Sequence, residues 1–290
     1  MCLISLAIDT HPRFPLVVAA NRDEFLDRPA AALDWWASEA AAEPLLGGRD
    51  LRAGGTWMAV GANARLALLT NVRDLPRLKL VAPSRGAIVP AWLKRAQSAG
   101  AFFSEISTCG HNPFNLLAAD FADRSHGRWW WADDQTALPV ELGAGVHGVS
   151  NAALSTPWPK VQRLNQALRD AVAAAAAEQQ TGAQFEASLF AALADRAIVP
   201  DDALPDTGVG IERERWLAPA FIRSPDGRYG TRCSTLLIVE RHAERCTARL
   251  VERRFDDCGA VAGQRGVRNM PWPLRDAAAA PVREESISPV

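Results

Sequence analysis

The order of the apolar segments constrains this chain most: strand-like runs come first, then two helical runs, then strands again, with no regular β-α-β alternation. Residues 2–8, 16–20, 56–60 and 65–71 are short runs rich in strand formers and separated by Gly and Pro, which predicts two hairpins. Ser84 is placed to cap a helix running through Trp92 and Leu93, with Pro90 kinking or shortening it. Strands are expected again at 114–121, 127–131 and 146–151. After Pro157 the period changes. Pro159 suits a first helical turn, and Val161, Leu164, Ala167, Leu168 and Val172 share one helical face. A partner helix is predicted over 184–195, with Phe185, Leu189, Phe190 and Leu193 apolar. Strands at 229–240 and 246–255 then flank a charged turn, predicting a third hairpin. This order implies an α+β fold of stacked antiparallel sheets with helices on their outer faces, in one domain over 1–258. Residues 259–290, rich in Gly, Pro, Arg and Ala and without period, are expected to be a mobile tail.

Composition removes several function classes. A formal charge of −1 offers no basic footprint for nucleic acid. Five cysteines without C-x-x-C pairing suit neither a zinc ribbon nor a disulfide framework, so a reducing compartment is expected. The apolar start lacks a basic leader and is broken by Asp9, and no long uncharged apolar run follows. A soluble, cytoplasmic protein is expected.

Cys2 follows the initiator methionine, and a small second residue permits removal of Met1. The exposed cysteine would carry both a thiol and an α-amine that titrates near ~8 and can act as its base. The same residue is equally a small hydrophobe in an apolar strand. Asn21-Arg22-Asp23-Glu24 ends the next strand, and antiparallel pairing of 2–8 with 16–22 would bring Arg22 or Asn21 to the thiol. Three more strands end in an amide or guanidinium: Asn71, Asn151 and Arg232. Such groups can serve an oxyanion or a substrate carboxylate, or simply form turns and ion pairs.

These segments occur in a recognisable order: Met1-Cys2-Leu3-Ile4, Asn21-Arg22-Asp23-Glu24, Gly47-Gly48-Arg49-Asp50, Gly54-Gly55-Thr56-Trp57, Leu69-Thr70-Asn71, Ser84-Arg85-Gly86, Phe114-Asn115-Leu116, Ser150-Asn151, Trp158-Pro159-Lys160 and Gly230-Thr231-Arg232. The chain thereby resembles the NRDE-motif family, the transport and Golgi organisation protein 2 group, over residues 1 to about 240. That family is similar in fold to cysteine N-terminal-nucleophile hydrolases such as penicillin V acylases and bile salt hydrolases. The resemblance implies a four-layer αββα sandwich. It also implies Cys2 as nucleophile, Arg22, Asp23, Asn71, Asn151 and Arg232 as its catalytic partners, and Asn21, Glu24 and Trp57 as substrate contacts. The reaction implied is hydrolysis of a small amide or thioester, with no cofactor and no metal. One departure stands out: Arg22 and Asp23 are adjacent, so on a regular strand they point to opposite faces.

The alternative that the resemblance implies is a non-catalytic carrier of acyl-coenzyme A, lipid or haem. Haem would need Cys2 or one of His11, His111, His126, His147 and His242 as ligand, and there is no C-x-x-C-H motif. Cys109-Gly110-His111 is too short a signal for zinc. Ten tryptophans, among them Trp35-Trp36 and Trp129-Trp130-Trp131, are mostly core, with some available to face an acyl chain or porphyrin.

Overall fold

The structure is a computed structural model that describes residues 2–38, 43–94, 97–123, 125–136, 138–177, 180–243 and 245–286. In chain order the strands are β1 (Cys2–His11), β2 (Phe14–Phe25), β3 (Ala30–Trp36), β4 (Leu45–Asp50), β5 (Met58–Gly61), β6 (Arg65–Asn71), β7 (Phe114–Asp120), β8 (Arg128–Asp133), β9 (Val140–Leu142), β10 (Gly145–Val149), β11 (Tyr229–His242), β12 (Arg245–Phe255), β13 (Val261–Trp272) and β14 (Arg283–Glu284). The helices are α1 (Ile88–Lys94), α2 (Ala99–Ser107), α3 (Pro159–Ala176), α4 (Gly182–Leu193) and α5 (Ile211–Leu217).

The strands form two antiparallel sheets. One runs β10-β1-β2-β11-β12-β13-β14 and the other β3-β4-β5-β6-β7-β8-β9. Alternation along the strands decides what each face covers. On β1, Ile4, Leu6 and Ile8 point between the sheets and join Leu66, Leu68, Leu117 and Trp129 from the second sheet. Leu3 and Ala7 point the other way, onto Val161, Leu164 and Leu168 of α3 and Phe185 and Leu189 of α4. The second sheet's outer face, with Leu45, Ala59 and Leu116, is covered by α1 and α2 through Trp92, Phe102 and Phe103. The result is the expected αββα sandwich.

The predicted helices form for the reasons given, with shifted ends. Pro159 opens α3, and α4 starts two residues early because Thr181 and Gln184 close a capping box. Pro90 leaves only a short α1, preceded by a single 3₁₀ turn at Arg85–Ala87. Residues 261–272 carry the main departure. Where composition predicts a tail, β13 pairs with β12, and Val267, Met270, Trp272, Leu274 and Ala280 are buried in the core between the sheets. Its register slips twice against β12, between Ala248 and Leu250 and again between Arg254 and Phe255, which erases the period-two signal. The last residues of the expected tail, 287–290, lie outside the described residues.

Candidate active site

Cys2 sits where the two sheets are tied together by a buried polar strap. Ser150, just past β10, donates from Oγ to the Cys2 carbonyl at 3.0 Å. Its own carbonyl accepts from Thr70 Oγ1 on β6 at 2.6 Å, and Asn115 on β7 donates to Thr70 Oγ1 at 3.0 Å and to the Ala152 carbonyl at 2.9 Å. Asn151 Nδ2 donates to the Asn71 carbonyl at 2.9 Å. Four of the polar segments singled out in the sequence thus meet in one network, in which each buried amide and hydroxyl finds a partner.

In front of this strap lies a cleft of about 350 Å³. Cys2 is 9% exposed and lines it, together with Arg22, Trp57 and Asn71. Cys2 faces Arg22 directly across the β1–β2 ladder, so both side chains project from the same face. The Arg22 guanidinium stacks 4.2 Å from the Trp57 ring and lies 3.4 Å from Asp50 Oδ2. Asp50 is also held at 2.7 Å by Arg28. Burial acts to raise the Asp50 carboxyl, but the hydrogen bonds it accepts from the Ala53 amide and Arg28 keep it below the usual range. Burial pushes the Cys2 thiol up, while the Asp23 backbone amide and Arg22 pull it down.

Asp23 turns to the helix-covered face, as the adjacency of Arg22 and Asp23 requires. A bulge on β11 accommodates both. Thr231 pairs with Asp23 and Cys233 with Arg22, leaving Arg232 as the extra residue. The slip points Thr231 at Asp23, whose Oδ1 accepts its hydroxyl proton at 2.7 Å, and points Cys233 inward beside Arg22. Tyr229 donates to the Asp23 carbonyl at 2.9 Å. Burial raises the Asp23 carboxyl, and it lowers Lys160 from its ordinary 10.5 to about 8, although Asp23 holds the lysine's proton on. Lys160 Nζ donates to the Leu217 carbonyl at 2.9 Å, and Arg73 with its buried partner Glu214 closes the same region. Burial lowers the Arg73 guanidinium.

The cleft therefore gathers Cys2, Arg22, Asp23, Glu24, Trp57 and Asn71. Asn151 stands behind Asn71 rather than in the cleft wall. Arg232, displaced by the bulge, donates to the Leu26 carbonyl at 2.9 Å and pairs with Asp257 at 3.4 Å, outside the lining. Asn21 also faces away: its amide donates to the Leu193 and Ala220 carbonyls at 2.8 and 2.9 Å and accepts from Ser234 at 2.6 Å, clamping β2 to the helix layer. Sequence reasoning did not single out Arg28, Asp50 and Arg85 as site residues. The signal was present, since Asp50 and Arg85 sit inside two of the ordered motifs. Among the described residues no histidine lines the cleft and no cluster suits a metal. Among them, too, no helix is long and apolar enough to cross a membrane.

A family model described as Transport and Golgi organisation 2 matches residues 1–257. Similar curated proteins are the transport and Golgi organization protein 2 homologs of Bos taurus, 35% identical over 258 residues, and of Homo sapiens, 30% identical over 257. Each alignment covers 83% of this chain and 89% of the relative. Among solved structures, the Caenorhabditis elegans ortholog of N-acylethanolamine-hydrolyzing acid amidase aligns with a TM-score of 0.43 and 11% identity, over 82% of this chain and 92% of that one. A mutant conjugated bile acid hydrolase from Clostridium perfringens aligns with a TM-score of 0.44 and 8% identity, over 99% and 97%. On the family match and the extent of the curated alignments, the chain belongs to the transport and Golgi organisation 2 family.

Proposed function

We propose that this protein is a cysteine hydrolase of a small amide or thioester, with Cys2 as an N-terminal nucleophile after removal of Met1. The reading is carried by the position of Cys2: first residue of β1, opposite Arg22, and lining the same cleft as Asn71. The β1–β2 register, Cys2 to Arg22 and Leu3 to Asn21, runs on so that the α-nitrogen of Cys2 would point toward Asp23. A raised thiol needs a base, and a neutral α-amine on the same residue supplies it.

The thiol proton passes to that amine as Sγ attacks the carbonyl carbon. Asn71 donates to the developing oxyanion, held by Asn151 through its backbone. The tetrahedral intermediate expels the amine or thiol, which takes the proton, and leaves an acyl thioester on Cys2. Water then attacks the thioester, giving the acid and the free thiol. Arg22 stabilises the thiolate, while Arg232 braces Leu26 at the end of the site.

The competing reading is a carrier of acyl-coenzyme A, lipid or haem in the same cleft. The burial that raises the Cys2 thiol favours it. With no histidine in the described lining, haem would have to take Cys2 as its protein ligand there. Intact mass of the purified untagged protein, with peptide mapping after a brief low dose of alkylating reagent, separates the two. Loss of Met1 with preferential labelling of Cys2, and turnover of 4-nitroanilides or thioesters that vanishes in Cys2→Ala, is expected. Retained Met1 or an inert Cys2 would sink the hydrolase reading, and ligand retention in Cys2→Ala would then point to the carrier.

A further inference from the structure

Among the described residues, four guanidinium groups line the cleft: Arg22, Arg28, Arg52 and Arg85. Three have carboxylate partners. Arg22 and Arg28 share Asp50 at 3.4 and 2.7 Å, Arg28 also lies 3.6 Å from Glu24, and Arg52 lies 3.4 Å from Asp27. Arg85 has no ion pair among the described residues. Its one hydrogen bond there is from Nη1 to the Pro113 carbonyl at 2.9 Å, which leaves most of its five donors uncommitted. It is partly buried, on the wall that comes from the segment leading into α1.

That wall is rigid where Arg85 sits. Thr56 N–H donates to the Gly86 carbonyl at 3.0 Å, and Gly55 approaches so closely that a Cβ there would lie 2.3 Å from the same oxygen. Asp50 N–H in turn donates to the Gly55 carbonyl at 2.8 Å. The Gly-Gly-Thr-Trp and Ser-Arg-Gly segments are therefore stitched together by backbone, and Arg85 lines the same cleft as Asn71 and Asn112. A planar donor fork, fixed in place and lacking a protein anion, matches a carboxylate or phosphate oxygen pair. Partial burial and the neighbouring Arg28 charge both lower the Arg85 guanidinium, against the acidic groups Glu24, Cys2 and Tyr229, so a bound anion would offset the cost of keeping this charge out of water.

We propose that Arg85 binds an anionic group, carboxylate or phosphate, on the molecule that occupies the cleft, so that the substrate of Cys2 is a small acyl compound bearing that anion. The substrate half of this statement rests on the hydrolase reading; the anion site does not. The cleft's volume, about 350 Å³, suits a molecule of that size and excludes a large polyanion from being enclosed.

The test titrates glutarate and inorganic phosphate into the full chain by calorimetry, for wild type, Arg85→Gln, Arg85→Lys and Arg52→Gln, each first checked for an unchanged thermal melt. Wild type binds one of the two anions. Arg85→Gln weakens that binding about ten- to hundredfold, as loss of a charge-assisted pair should, and Arg85→Lys restores part of it. Arg52→Gln, already neutralised by Asp27, changes it less than about threefold. Preference for glutarate assigns a carboxylate-bearing ligand, and preference for phosphate a phosphoryl one. Absence of binding to wild type, or binding that survives in Arg85→Gln, overturns the proposal. Glutaryl and pentanoyl 4-nitroanilide then divide the two readings. Cys2-dependent turnover of both without preference refutes anion selection while sparing the hydrolase. Arg85-dependent anion binding with no turnover of either leaves the anion site standing and counts against the hydrolase.

Discussion

At the scale of single residues the site is a contest between burial and charge. Cys2 is buried enough that its thiol resists ionisation, and Arg22 is one of the groups that offset this. Arg22→Gln should raise the thiol further and slow alkylation of Cys2 at neutral pH several-fold, because the thiolate is the form that reacts. Mapped labelling rates check it, and an unchanged rate would show that Arg22 does not act on the sulfur. Lys160 gives a pH signature of its own. Burial depresses its folded pKa from 10.5 to about 8, so the unfolded chain holds this proton more tightly. Its contribution to stability therefore rises as pH climbs from 8 toward 10.5, because the buried charge that folding disfavours is being removed. Relative to Lys160→Met, wild type should gain roughly 2 kcal/mol between about pH 7 and 9.5 in urea unfolding. A gap that shrinks with pH would contradict the assignment. The pairing of Cys2 with Arg22 could be read from the sequence because antiparallel register follows from the shortness of the turn. The positions of Arg232 and Asn21 could not, because a bulge on a strand far along the chain decides one and the helix layer decides the other.

Elements that could be read from sequence are those with a period and a cap. β6 and β7, α3 and α4 carry apolar positions at spacings of about two or 3.6, and Thr181 with Gln184 announces where α4 begins. Thr181→Ala should cost about 1 kcal/mol, read as a shift in the denaturation midpoint, since it removes the hydroxyl that accepts from the Gln184 amide and leaves only the reciprocal bond from the residue-181 N–H to the Gln184 side chain. β3 and β4 escape the same reading: β3 is irregularly paired with β4, and the middle of β4 is Gly47 and Gly48, which carry no side-chain signal. α5 spans seven residues, mostly charged, too few turns for a periodic face to show. The most sensitive element contact is the backbone crossing of Gly55 and Gly86. Gly55→Ala places a methyl 2.3 Å from a carbonyl oxygen that is itself hydrogen-bonded, so the backbone must move rather than a side chain. A loss of about 1–3 kcal/mol in thermal stability is expected. Because Arg85 rides on this crossing, anion binding should weaken in the same variant even where it remains folded at room temperature.

Across the whole molecule, the two sheets hold each other through the layer between them, and the C-terminal strands are part of it. β13 contributes Val267, Met270 and Trp272 to that layer, and the chain beyond it adds Leu274 and Ala280. Trp272 Nε1 donates to the Ser125 carbonyl at 2.8 Å and Trp35 Nε1 to the Ala280 carbonyl at 2.8 Å, so this segment reaches both the second sheet's strands and their connections. The family match ends at residue 257, just before β13 begins at Val261. A domain boundary there would look natural from the match alone, but packing argues the reverse. Removing three large buried side chains exposes their partners on β12 and β3 as well, at about 1.5–3 kcal/mol for each side chain. Their sum, roughly 5–9 kcal/mol, is comparable to the entire stability of an ordinary domain. A chain ending at Cys258 should therefore lose its cooperative thermal transition or accumulate as aggregate, whereas one ending at Glu285 should melt close to the full-length protein. A cooperative, full-strength melt for the shorter chain would mean that β13 packs onto a core complete without it. The strand's burial against β12 on one side and the second sheet on the other makes that outcome physically incompatible with the layer described.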